Sequence, residues 1–193
     1  MRRALAVVAV LLCVAGGFAL FVHATQPAWW LRLWYPLNYR SAVVGYARQD
    51  QLDPALLAAV IYRESRFHSD ARSDAGAVGL MQLLPDTAEG IAIHTGGTRF
   101  DPATDLLNPD LNIRYGAWYL RHLINHYSAY PNSVDLALAA YNAGQSNVDS
   151  WIEGTPNGQP VRIRFEETRD YVDAVRHLQD VYRKAYGAEL GGG

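Results

Sequence analysis

The chain of 193 residues carries a formal net charge of -2, with no basic stripe or charged tail, which excludes the pattern expected of a nucleic-acid binder. Hydrophobic residues make up 50% of it, enough for one domain with a substantial core plus an appendage. Its 12 tyrosines and 5 tryptophans suit either a groove for carbohydrate and other amphipathic ligands or an aromatic-rich core.

The first element stands apart from the rest. After Arg2 and Arg3, residues Ala4 to Val22 carry no charge, and a helix of that length spans roughly 28 Å, about one hydrocarbon core. Two forms fit: a signal peptide cut after Ala24, or an uncleaved anchor. The length of the run and the adjoining "QPAWWLRLWYP", which has the composition of an interfacial aromatic belt, favour the anchor. The leading arginines favour a cytoplasmic N-terminus and place residues 26–193 outside. Cys13, the single cysteine, lies within the apolar run, so no disulfide forms in the exported part. The expected division is a membrane segment over 1–25, an aromatic juxtamembrane stretch over 26–38, a globular domain over 39–188 and a disordered tail over 189–193.

Beyond the apolar segment helical signals dominate, and the fold class is all-α with loops between short helices. Tyr39 to Gln51 reads as a helix, and Asp53 with Pro54 forms the N-cap and first turn of the next, which runs to about Ser65. A polar, glycine-bearing loop spans 67–78. Pro85 opens a helix of about ten residues ending near "HTGG". "NPD" at 108–110 starts a long helix, Ser133 caps "VDLALAAYN" ahead of Gly144, and Thr168 opens the last helix. "PVRIRF" at 160–165 reads as a short extended piece.

Within "LDPALLAAVIYRESRF" one carboxylate interrupts an apolar stripe. Counting from Leu52 at 100° per residue, Leu56, Val60, Leu57 and Ile61 fall at roughly 40°, 80°, 140° and 180°, and Glu64 falls near 120°. An ion pair with Arg63 or Arg66 accounts for such a residue. So does a general acid whose pKa is raised by partial burial, as glycosidic cleavage requires. His122 and His126 share a helix face, but the glutamate of a zinc-protease motif is missing, so no metal site is expected. Phosphate-binding glycine loops, "GxSxG" and "CxxC" are absent from the sequence.

"ESRF", "SDAGAVGLMQLLPDTA", "AYNAG" and "ETRDYV", in that order, resemble the catalytic domain of soluble-lytic-transglycosylase-type enzymes in the lysozyme-like superfamily. The resemblance covers about Tyr35 to Tyr186, and the "YPLNYR" start is similar to small membrane-anchored members. It implies a lysozyme-like helical domain with a substrate cleft, bacterial peptidoglycan glycan strands as partner, no cofactor, and a location in the cell envelope on the outer side of the membrane. No protein partner is implied. Carried over by position, Glu64 matches the single catalytic acid/base. Ser73, Gln82, Tyr141 and Glu167 match substrate-binding positions, and Gly79, Met81, Leu84 and Asn142 match pocket-shaping ones. Leu84 departs from a frequent methionine. The implied reaction breaks the β-1,4 bond between N-acetylmuramic acid and N-acetylglucosamine and leaves a 1,6-anhydro sugar. The alternatives are a hydrolytic muramidase similar to goose-type lysozymes and a non-catalytic wall-binding scaffold. A hydrogen bond to Glu64 is expected from Tyr141 or from a backbone group.

Overall fold

The computed structural model describes residues 2–96 and 100–191. Among these there are ten helices: α1 (Arg2–Thr25), α2 (Ala28–Trp34), α3 (Arg40–Gln49), α4 (Pro54–Ser65), α5 (Pro85–His94), α6 (Pro102–Asp105), α7 (Pro109–His126), α8 (Ser133–Ala143), α9 (Gln145–Ile152) and α10 (Glu166–Leu190). The described residues contain no strand, and the "PVRIRF" stretch is extended without pairing. The only bridges among them are Arg72 with Val78 and Val78 with Leu83.

The aspartate- or asparagine-proline device starts three helices. Asp53 accepts a hydrogen bond from the Ala55 N–H at 2.8 Å, Asp101 from Ala103 at 3.0 Å, and Asn108 from Asp110 at 3.0 Å; each satisfies a free first-turn donor before a proline that needs none. The helix after Asp101 is α6, a short element not predicted from the sequence. α9, which comes directly after Gly144, was also not predicted. Gly144 itself ends α8 at φ 87°, as expected.

Three boundaries differ from expectation. Ser133 lies inside α8, and the cap position belongs to Asn132, whose side chain instead bonds both the N–H and the carbonyl of Val161. α10 begins two residues before Thr168, which is buried within its first turns. At the other end α10 runs to Leu190, which is 5% exposed, and Gly191 closes it at φ 83°. Residues 189–190 are therefore ordered helix, because Leu190 has an apolar surface to cover. Gly97 of "HTGG" and the last two glycines lie outside the described residues.

α4 is the central element. Ala55 to Ile61 are all buried, and its heaviest packing is against α10. Its buried surface extends all round rather than forming a stripe, which is why small alanines at 58 and 59 fit between neighbouring helices. α7 and α8 pack together on one side, and α3 crosses both α4 and α7. α1 lies outside this body. Its Leu11, Leu12, Val14, Phe18, Leu20 and Phe21 are all more than half exposed.

No single helix among the described residues is long and apolar enough to cross a membrane. Leu11–Thr25 and Ala28–Trp34 meet that requirement together, with an 82° bend between them.

Candidate active site

Glu64 is the penultimate residue of α4. The helix stops one residue later because Arg66 and Phe67 both take left-handed backbone angles (φ 51° and 64°), a costly conformation for residues with a Cβ. Phe67 is held there by burial against Tyr182, with ring centroids 6.3 Å apart. The sharp turn leaves Glu64 at the edge of the core, half-buried and facing a cavity.

The opposite wall is the segment 71–84. Val78 and Leu83 pair through two backbone hydrogen bonds, of 3.0 and 3.1 Å, around the turn "GLMQ". Gly79 has φ +82°, and a Cβ there would overlap the Asn112 amide and the Leu106 carbonyl. Asn112, fully buried on α7, accepts from the Met81 N–H at 2.8 Å and donates to the carbonyls of Val78 and Leu106, each at 2.9 Å. Met81 is buried on Gly116, where any side chain would meet its sulfur. Ser65 ties the two walls together by donating to the Leu80 carbonyl at 2.7 Å. Gln82, at φ 47°, spends its amide N–H groups on the carbonyls of Gly79 and Ala71, which leaves its carbonyl oxygen for the cavity.

A cavity of about 210 Å³ is lined by Glu64, Ser73, Ala75, Ala77, Gln82, Leu84, Tyr141 and Asn142. Six residues singled out in the sequence, spread from position 64 to position 142, thus line one cavity. A second cavity of about 260 Å³ shares Gln82, Leu84, Tyr141 and Asn142 with the first and continues to Thr87, Tyr119 and Gly144. The two make a groove suited to a polymer. Ser73 accepts from the Ala77 N–H at 3.0 Å, so its own hydroxyl proton is free to be donated. Asn142 is exposed on the groove rim, and the turn that follows it is secured by Asn147, whose amide donates to the Ala143 carbonyl at 2.7 Å. Glu167 does not line either cavity. It is exposed in the first turn of α10, where the helix dipole favours an acid, one turn before Tyr171 on the same face.

Tyr171, which lies within "ETRDYV" but was not singled out as a site residue, is the partner of Glu64. Its hydroxyl donates to Glu64 Oε1 at 2.5 Å. Tyr141 or a backbone group was the expected donor, but the Tyr141 hydroxyl donates to the Met81 carbonyl at 2.7 Å, because that carbonyl would otherwise be buried without a partner. Burial raises the Glu64 pKa above the ordinary glutamate value; the Tyr171 hydrogen bond and the positive charge of Arg63 oppose that rise without cancelling it. Arg63 does not form an ion pair with Glu64. Its guanidinium lies over the Tyr171 ring, 5.4 Å from the centroid. Burial and the adjacent Glu64 carboxylate push both tyrosine hydroxyls well up, so they remain protonated donors.

The expected histidine pair is engaged elsewhere. His126 meets Asp149 at 2.9 Å, and His122 stacks on Trp118. Among the described residues no group of three His, Cys, Asp or Glu is placed to hold a metal ion.

An all-helical domain with a half-buried glutamate at the edge of a groove formed by two adjoining cavities has the architecture of the lysozyme-like transglycosylases. The Transglycosylase SLT domain family matches residues 41–161, and the chain belongs to that family. The soluble lytic murein transglycosylase of Salmonella typhimurium is 31% identical over 159 residues, which is 79% of this chain and 24% of the relative. Membrane-bound lytic murein transglycosylase F of Serratia proteamaculans is 30% identical, over 77% of this chain and 36% of the relative. Among solved structures, an inactive mutant of lytic transglycosylase Slt from Pseudomonas aeruginosa superposes with a TM-score of 0.70 at 34% identity, covering 82% of this chain and 26% of that one. The chain thus spans about a quarter to a third of the length of these relatives.

Proposed function

We propose that the chain is a peptidoglycan lytic transglycosylase of the bacterial envelope, held to the membrane by α1 with its helical domain on the outer side. The observation that carries this reading is the isolation of Glu64. It is the sole carboxylate lining the 210 Å³ cavity, and a hydrolase of the two-carboxylate kind needs a second.

A single carboxyl group must then serve twice. Glu64, whose pKa burial raises, gives its proton in its acid form to the oxygen of the β-1,4 bond between N-acetylmuramic acid and N-acetylglucosamine. As that bond breaks, the substrate's N-acetyl group stabilises the positive charge at C1. Glu64 is now an anion, and the Tyr171 hydroxyl at 2.5 Å is positioned to stabilise it. The glutamate takes the proton of the C6 hydroxyl, and O6 bonds to C1 to give the 1,6-anhydro product. The cycle returns Glu64 to its acid form with no water consumed. A group that is acid and then base works best with a pKa near the working pH, and the opposed effects of burial and Tyr171 move Glu64 in that direction. Ser73, Gln82 and Tyr141 contact substrate along the groove, Glu167 contacts it outside the two cavities, and Gly79, Met81, Leu84 and Asn142 shape the walls.

The second reading, a hydrolytic muramidase, keeps the same acid and lets water take the place of O6. Mass spectrometry of digested peptidoglycan separates the two. Anhydro-terminated fragments are expected, and reducing ends alone would overturn the transglycosylase assignment.

A further inference from the structure

Three consecutive backbone carbonyls at the end of α2 and just after it each accept a tyrosine hydroxyl. Tyr62 donates to Trp34 at 3.1 Å, Tyr186 to Tyr35 at 3.0 Å, and Tyr182 to Pro36 at 2.9 Å. Tyr62 lies on α4, two residues before Glu64, and Tyr182 and Tyr186 lie on α10, the helix that carries Tyr171. The two helices that form the site therefore also grip the segment leading to α1. Leu31 packs on Val181 and Ala185. Arg32 donates to the Ala185 carbonyl and pairs with Glu189, both at 2.7 Å. Lys184 donates to the last carbonyl of α1, that of Thr25, at 2.8 Å.

The rest of α2 is unpartnered. At helical spacing Trp29, Leu33, Trp30 and Trp34 occupy one arc of about 140°, opposite Leu31 and Arg32, and Trp29, Leu33 and Trp34 are about half to two-thirds exposed. The arc continues onto α1 through ring contacts: Phe18 stacks on Trp29, and Trp29 with Trp30 and Trp30 with Trp34 meet edge to face, all with centroids within 6.4 Å. α1 is apolar and exposed around its circumference, and α2 leaves it at 82°. With α1 as the anchor of the proposed function, a helix bent nearly perpendicular to it lies along the bilayer surface, and tryptophan is the residue that belongs at that depth.

We propose that the aromatic face of α2 is seated at the headgroup–acyl boundary of the bilayer and that its clamp on α4 and α10 makes the attachment rigid. This holds the Glu64 groove at one set distance from the membrane. It deepens the reading of α1 as a membrane anchor and does not depend on the chemistry of Glu64. Along α10, Tyr171 and Lys184 are thirteen residues apart, roughly 20 Å. The groove therefore addresses glycan strands in the layer adjacent to the membrane, and a strand further out is beyond its reach.

The test uses the full-length protein in phosphatidylcholine–phosphatidylglycerol vesicles and reads no lytic activity, so its failure is distinct from failure of the enzymatic reading. Lipids brominated near the headgroup should quench tryptophan emission at least two-fold in the wild type, and more strongly than lipids brominated near the chain ends. A variant with Trp29, Trp30 and Trp34 changed to Phe, which keeps Trp118 and Trp151, should lose that quenching. A fluorophore on Asp74→Cys, in a Cys13→Ser background, should give a single narrow energy-transfer distance to a bilayer-surface dye. Removing the clamp contacts together (Tyr62→Phe, Tyr182→Phe, Tyr186→Phe and Arg32→Ala), in the same labelled background, should broaden that distance. Absence of bromine quenching while the protein remains vesicle-bound, or equally broad distances with and without the clamp substitutions, would overturn the proposal.

Discussion

Glu64 is shaped by two opposed effects, and each can be removed alone. Glu64→Gln should lower glycan cleavage by roughly 10²–10⁴-fold, the usual worth of a positioned general acid. It should also change how stability depends on pH. Because the folded pKa is raised above the ordinary value of 4.5, the folded chain holds the Glu64 proton more tightly than the unfolded chain does. Stability is then fully present below the ordinary value and declines as pH rises through the folded one. Thermal melting across that window should show the wild type losing ground to Glu64→Gln as pH rises, with no such divergence at lower pH. Tyr171→Phe removes a hydrogen bond that favours the carboxylate form, so the limb of the pH–activity profile that reports Glu64 ionisation should move to higher pH. An unchanged limb would mean that the Tyr171 hydroxyl does not tune the acid.

The site depends as much on the turn 78–83 and its seat on α7 as on the helix that carries the acid. Gly79→Ala would both strain a left-handed backbone position and displace the Asn112 amide, and Asn112 is the partner of the buried Met81 N–H. A loss of about 3 kcal/mol or more is expected from the backbone strain and the orphaned buried groups together, read by urea denaturation. Asn112→Leu should be comparably destabilising, with Gly79 untouched. Asn112 shows the same sequence signal as Glu64: a polar residue at helical spacing on the face formed by Tyr115, Gly116, Tyr119, Leu120 and Leu123. Tyr171 gave no such signal, because a tyrosine in step with Val175 and Leu178 reads as ordinary core. Ser133 and Thr168 were plausible helix caps by residue type, but Asn132 is drawn into contact with the distant Val161 and Thr168 is buried inside α10.

At the scale of the whole molecule the chain is a compact helical body clamped to an aromatic shelf, with α1 projecting from it. Among the described residues of α1, only Val22 is buried. Deleting residues 2–21 should therefore leave the melting temperature of the domain essentially unchanged and abolish flotation with lipid vesicles. A large fall in melting temperature would show that α1 contributes to the core.

The sequence by itself determined the helical class, most helix starts, the apolar first segment and the choice of Glu64 as the candidate acid. These come from local capping chemistry, hydrophobic period and four motifs kept in order, none of which requires knowledge of what lies across the fold. Tertiary structure alone decided that Tyr171, and not Tyr141, holds the Glu64 carboxylate, that Asn112 supports the "GLMQ" turn, that α10 continues to Leu190, and that residues 34–36 are pinned to the site-forming helices. Each of these joins groups far apart in the chain, and which buried donor meets which buried acceptor is settled only when packing brings the helices together and every buried polar group must find a partner.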